Sequence, residues 1–173
     1  PQDPPVLFKR AGGKGTWPKT SVQSKYCSKG LLSDADDWEC AADLKEWSTG
    51  YPEVIKKTGL RPDVVLTSQS AKEILLIELT VPYESRIEDA HVYKTEKYSD
   101  LAKELKEAGF KTKVFAVEVG ARGVVAASTY SLLKQLAASS RSRTRTLKAM
   151  GEAAEKALSW IWSRRNKNQL HKV

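Results

Sequence analysis

Two acidic residues stand where the surrounding sequence makes a charge costly. Glu78 lies in the middle of Ile74–Val81 (ILLIELTV), an almost continuous apolar run. An isolated carboxylate in such a run has to be paired with a base or a metal ion. Asp63 opens a second apolar segment, DVVLTS, fifteen residues earlier and directly after Arg61-Pro62. Alone, Pro-Asp is a common turn pair. A hairpin between the two segments, turning around Gln69–Lys72, brings Asp63 close to Glu78. Two carboxylates at a shared site suit a hard divalent cation such as Mg2+ or Mn2+, with the carbonyl of Leu79 as a candidate third ligand.

A third anomaly follows. Between residues 85 and 108, Ile87, Ala90, Lys94, Lys97, Leu101, Leu105 and Ala108 recur at steps of three and four, the spacing of one helical face. Lys94 and Lys97 therefore occupy places where apolar residues belong. Snorkelling at the edge of the stripe explains one of them; it explains two in succession less well. Packed across the strands, both ammonium groups point at the carboxylate pair, and Tyr98 either contacts the same site or packs beside it. Carboxylates, a cation and lysines make a phosphodiesterase-like site. The cation activates water, and Lys94 or Lys97 orients the nucleophile or neutralises the phosphorane.

These residues need a scaffold. ILLIELTV reads as a central strand buried on both faces, ended by Pro82. Residues 85–108 read as one long helix closed by Gly109. A strand over 113–119 leads to the Gly120–Gly123 turn, then to helices over roughly 128–138 and 142–164 joined by SSRSRTR. Upstream, Ser33-Asp34 starts a helix through DADDWECAADLKEW with Cys40, Ala41, Leu44 and Trp47 on one stripe; Gly50 and Pro52 stop it. Residues 51–60 admit a short strand or one helical turn. The expected fold is an α/β sandwich, a mixed central sheet flanked by helices, with extra C-terminal helices. It occupies 31–165, between an extended basic arm at 1–30 and a basic tail at 166–173.

Composition narrows the class. The chain has 173 residues, 40% hydrophobic and 29% charged, which is ordinary for a soluble globular protein large enough to bury a core. No apolar run approaches the ~20 residues that span a bilayer, and PQDPPVLFKR lacks the apolar stretch of a secretory signal. Cys27 and Cys40 make no disulfide scaffold, so a reducing compartment, nuclear or cytoplasmic, is expected. With only His91 and His171 besides, no Cys/His zinc cluster can be assembled. The net charge of +8 is uneven: residues 1–30 carry six bases and one acid, and residues 121–173 eleven bases and two acids, around an acidic centre. That layout suits a polyanion held by the ends; a solvated basic surface is the plainer alternative.

The ordered set RPDVVLTS, ILLIELTVPYE, then Ala90, Lys94, Lys97 and Tyr98 as A-x-x-x-K-x-x-K-Y, then VEVGARG at 117–123 resembles the PD-(D/E)xK restriction-endonuclease-like nucleases. It is most similar to the endonuclease domain of site-specific non-LTR retrotransposons and related transposon-derived animal proteins. The resemblance covers roughly 35–165. It departs from the common pattern at Thr80, where a lysine usually stands two residues after the second acid. Some members carry that lysine on the following helix, where Lys94 and Lys97 lie. The resemblance implies metal-dependent cleavage of DNA, typically a nick that primes reverse transcription. No reverse transcriptase signature or Cys/His knuckle is present. The chain is therefore expected to be a C-terminal domain cut from such a parent polypeptide, or a domesticated stand-alone protein. A double-strand break needs two active sites; the sequence neither supports nor excludes a homodimer.

Further candidates surround this set. Glu39 and Asp43, at i and i+4 on the expected first helix, either reach the metal or form a solvated acidic face. Glu118 alternates with Val114 and Ala116 and is a candidate partner for a lysine. Arg122 lies in the Gly120–Gly123 turn, whose amides are candidates for a phosphate. Arg141, Arg143 and Arg145 are expected on backbone phosphates. Of Trp160 and Trp162, one is expected in the core; Trp17 either stacks on a base or packs on the domain. Thr80 keeps a second function open: a DNA-binding module on a nuclease-like scaffold that no longer cuts. A protein-interaction domain with incidental basic ends is the third.

Overall fold

The computed structural model describes residues 9–10, 30–44 and 50–170, with side-chain surroundings over 30–44 and 50–165. Most of the basic arm, with Trp17 and Cys27, lies outside the described residues, as do Trp47 and His171.

The expected hairpin forms. β3 (Val64–Ser68) and β4 (Glu73–Thr80) pair antiparallel, with Val64 opposite Ile77 and Ser68 opposite Glu73. Asp37 locks the turn between them. Its carboxylate accepts from the hydroxyls of Ser68 (2.5 Å) and Ser70 (2.6 Å) and from the backbone N–H groups of Gln69 (3.0 Å) and Ser70 (2.8 Å). β2 (Glu39–Ala42) lies antiparallel on the other side of β3, and a two-residue strand, β1 (Lys9–Arg10), runs parallel beside β2. β5 (Lys111–Glu118) runs parallel to β4 at the far edge, so the sheet is mixed, in the order β1-β2-β3-β4-β5. A parallel neighbour needs a crossover. A 3-10 turn at Glu84–Arg86, α2 (Ile87–Lys97) and α3 (Ser99–Glu107) supply it. α1 (Glu53–Thr58) precedes β3, and α4 (Ala127–Gln135) and α5 (Ser140–Leu170) follow β5.

Each face of the sheet carries a core. On one, Ala41, Val65, Ile74 and Leu76 meet Ile55 of α1, Tyr98, and Leu101 and Leu105 of α3. On the other, Trp38, Leu66 and Leu75 gather Leu31, Phe115 and Leu136. β4 is thus buried from both sides, as its sequence requires.

Four expectations are corrected. First, the described part of the expected helix, residues 34–44, is not helical; it contains β2. Trp38 and Cys40 turn to one core and Ala41 to the other, so a period of two overlay the apparent helical stripe, and pairing with β3 decided between them. Second, the helix over 85–108 breaks at Tyr98 (φ −104°, ψ 6°), whose ring is fully buried against the sheet. Beyond the break Leu101, Ala102 and Leu105 face the core and Ala108 does not. Gly109 closes α3 at φ 89°, as expected. Third, SSRSRTR is no linker, because α5 begins at Ser140; the helix also runs into the expected tail, to Leu170. Fourth, Trp160 and Trp162 are both exposed, at 57% and 55%. Residues 51–60 take the helical option: Ile55 is buried and Gly59, at φ 70°, caps the turn. Among the described residues no helix is long and apolar enough to cross a membrane.

Candidate active site

Continuing the β3–β4 ladder by one pair sets Asp63 opposite Glu78. The two residues interlock. The Leu79 N–H donates to Asp63 Oδ2 (2.7 Å), and the Asp63 N–H donates to Glu78 Oε2 (3.3 Å). Two buried tyrosines hold the Arg61-Pro62-Asp63 corner. The Tyr51 hydroxyl donates to the Pro62 carbonyl (2.7 Å), and the Tyr98 hydroxyl lies 3.2 Å from the Arg61 carbonyl.

Both lysines reach Glu78. Lys94 Nζ donates to Oε1 at 2.6 Å and Lys97 Nζ to the same oxygen at 3.4 Å. Lys97 also donates to the Tyr98 hydroxyl (3.0 Å), which donates in turn to Glu78 Oε2 (2.8 Å). Glu78 is only 4% exposed, so these bonds are what make its charge tolerable. A lysine at position 80 is not needed for that, because α2 delivers the ammonium group from the helix side.

The two carboxyls are driven apart. Burial works to raise Glu78, but the Lys94 and Tyr98 hydrogen bonds and the two ammonium charges outweigh it and hold the group below its ordinary value. Asp63 is pushed above its ordinary value, first by burial, with the charges of Glu78 and Asp43 adding, against the Leu79 N–H and Lys94. Burial and then Glu78 push the Tyr98 phenol far up, so it stays a donor. Burial, then Asp43 and Asp63, bring Tyr51 up to about 12.

The donor set fits a hard divalent cation. Among the described residues only the Leu79 N–H donates to the Asp63 carboxylate, at Oδ2, which leaves Oδ1 for a ligand. The main chain supplies a further oxygen. The Val119 N–H donates to the Thr80 carbonyl (3.0 Å), so Thr80 turns its backbone groups to β5 and Leu79 turns its own to β3. The residue opposite Leu79 there is Pro62, which has no N–H to give the Leu79 carbonyl. Among the described residues no three His, Cys, Asp or Glu side chains converge on one point. A cation here would rest on two carboxylates plus main-chain and water oxygens, which is how Mg2+ is commonly held.

The remaining candidates divide. Asp43 sits next to Asp63, its N–H donating to the Asp63 carbonyl (2.9 Å), because it continues a strand and not because of helical spacing. Glu39 is exposed and pairs with Thr67, four residues or about 13 Å further along. Glu118 is not bound to a lysine. Its Oε1 is bonded to His91 Nδ1 (2.8 Å) and its Oε2 accepts from the Ser128 hydroxyl. The amides of the Gly120–Gly123 turn are not free for a phosphate: they donate to Val124, Pro82, Glu84 and Gly120. The Arg122 guanidinium bonds Glu84 (2.9 Å) and stays 60% exposed. Gly123 is there for packing; its backbone meets Gly151 of α5, where an added Cβ would lie 2.6 Å from the Gly123 oxygen. Arg141 and Arg145, four residues apart, share an exposed face of α5. Arg143 turns the other way, donates to the Ala138 carbonyl and lies over the Tyr130 ring.

Three residues escaped the sequence reading: His91, Tyr51 and Asp37. An i, i+3 link from His91 to Lys94 was the available signal for the first.

No protein-family model matches the chain, and no curated protein matches it.

Proposed function

We propose that the chain is a divalent-metal-dependent DNA endonuclease with a restriction-endonuclease-like core. It nicks target DNA and derives from a transposon, either as a domain of a parent polypeptide that carries a reverse transcriptase or as a domesticated stand-alone protein. The observation that carries the reading is Asp63 facing Glu78 across two paired strands, with Lys94 bonded to Glu78. Asp63, Glu78 and the Leu79 carbonyl would hold Mg2+ or Mn2+, which supplies an acidified water and charge neutralisation at the phosphoryl group. Lys94 keeps Glu78 ionised and sets a positive charge where the phosphorane develops. Tyr98, itself bonded by Lys97, fixes the other oxygen of the carboxylate. Arg141 and Arg145, with Arg122 beside them in role, contact backbone phosphates and give affinity without sequence choice. A reducing compartment, the nucleus or cytoplasm, fits this reading.

One observation favours the second reading, a DNA-binding module that no longer cuts: both Glu78 oxygens already carry hydrogen bonds. Nicking of supercoiled plasmid separates the two. With Mg2+ or Mn2+ the parent protein is expected to nick, EDTA to stop it, and Asp63→Ala to abolish it while DNA binding remains. Tight salt-dependent binding without nicking, indifferent to EDTA, would replace the first reading by the second.

A further inference from the structure

We propose, resting on the nuclease reading, that His91 is a further catalytic residue of this site, the one that delivers a proton to the leaving oxygen. Glu118 is 1% exposed, and it does for His91 what a buried carboxylate does for an imidazole: it binds Nδ1 and fixes the ring. Ser128 takes the other carboxylate oxygen, and Thr129 donates to the Glu118 carbonyl (3.0 Å), so the acid has no freedom to turn away. With Nδ1 engaged, Nε2 is the ring nitrogen left to meet a ligand, on a side chain 41% exposed.

The position suits the task. His91 precedes Lys94 by one turn on the sheet-facing side of α2, and Glu118 stands beside Thr80 in the ladder, two residues on from Glu78. Strand spacing and rise put the two acids about 8 Å apart on one face of the sheet. Both oxygens of Glu118 are taken, by His91 and Ser128, so it orients the ring and does not ligate an ion beside Glu78. The spacing is short enough for the two acids to address opposite sides of one phosphodiester. Lys94 and Lys97 are bonded to Glu78, and an alkylammonium is a poorer proton donor than an imidazolium. As the oxygen of water bonds to phosphorus, the bond from phosphorus to O3′ breaks. Its electron pair takes the proton from His91 Nε2, the proton of the water passes to solvent, and the neutral imidazole is reprotonated from solvent.

The test uses the full chain and two matched duplexes spanning a mapped nick, one ordinary and one with sulfur at the bridging 3′ position, a leaving group that needs no proton. In Mn2+, His91→Ala and His91→Asn are expected to cut the ordinary duplex about a hundredfold slower or worse and the thio duplex at close to the parent's rate. His91→Asn keeps a donor for Glu118, which guards against a folding defect. Equal loss on both duplexes, or no loss on either, overturns the proposal alone. A parent that cuts neither overturns the nuclease reading and this proposal with it. Independently, the His91 Nε2 resonance of the metal-free protein is expected to move on titration with uncut duplex; no movement at saturating DNA overturns the contact.

Discussion

Glu78 and Glu118 stand on neighbouring strands, on one face of the sheet and beneath the same helix, 4% and 1% exposed. Their surroundings differ in kind. Glu78 stands opposite a second acid and is bonded to two lysines and a tyrosine hydroxyl. Glu118 is bonded to a hydroxyl and an imidazole. The first group sets two acids against two ammonium groups; the second spends its charge on orienting one ring. α2 buries no residue fully and bonds the sheet through His91, Lys94 and Lys97, whereas α3 is held by Leu101, Ala102 and Leu105.

Substitutions should separate the two acids, most widely in cleavage. Glu78→Ala is expected to lower plasmid nicking about a thousandfold or more, the loss of several kcal/mol of metal-derived stabilisation. Glu118→Gln, which keeps an acceptor for His91, is expected to lower it only about ten- to a hundredfold. Equal losses would erase the distinction.

The lysines sharpen it next. Lys94 is closer to Glu78 than Lys97 and less exposed, 22% against 32% at the side chain. Lys94→Ala should slow single-turnover nicking about a hundredfold, and Lys97→Ala markedly less. The reverse order would move the catalytic role to Lys97.

Stability should divide the Asp63–Glu78 pair itself. Asp63 sits above its ordinary value, so the unfolded chain gives up that proton first, and stability is lost as pH rises from the ordinary value through the raised one. Asp63→Asn should therefore melt higher than the parent at pH 7, with the gain vanishing in acid, while nicking is lost. Glu78 sits below its ordinary value; its contribution is full above the ordinary value and disappears as pH falls through the lowered one. Glu78→Gln should melt lower at pH 7, since it strips two ammonium groups of their partner. Thermal melts at both pH values check both signs.

The smallest effects lie outside both clusters. Arg141→Ala and Arg145→Ala should each weaken DNA binding a few-fold and reduce the slope of log affinity against log salt by about 0.9. Arg143→Ala should instead lower the melting temperature, because Arg143 is bound to Ala138 and Tyr130.

Much of this was legible in the sequence where an element stood alone in its pattern. The apolar residues on both faces of ILLIELTV favoured a buried strand over an edge position with Glu78 in water, and that made Glu78 anomalous and led to Asp63. Lys94 and Lys97 were visible as faults in a helical stripe. What stayed hidden depended on partners distant in sequence. WECAA is short, so helix and strand patterns coincided until β3 claimed it. The break at Tyr98 follows from a hydroxyl reaching Glu78 and the Arg61 region, contacts that no local periodicity encodes. His91 looked unremarkable because the residue that gives it a role, Glu118, is twenty-seven positions away.

The most direct measurement is a Mn2+ titration, followed by electron paramagnetic resonance, of the parent, Asp63→Asn and Glu118→Gln proteins. If the Asp63–Glu78 pair is the metal centre, the parent binds Mn2+, Asp63→Asn loses that binding, and Glu118→Gln retains it. Retention in Asp63→Asn, or loss in Glu118→Gln alone, would contradict the account.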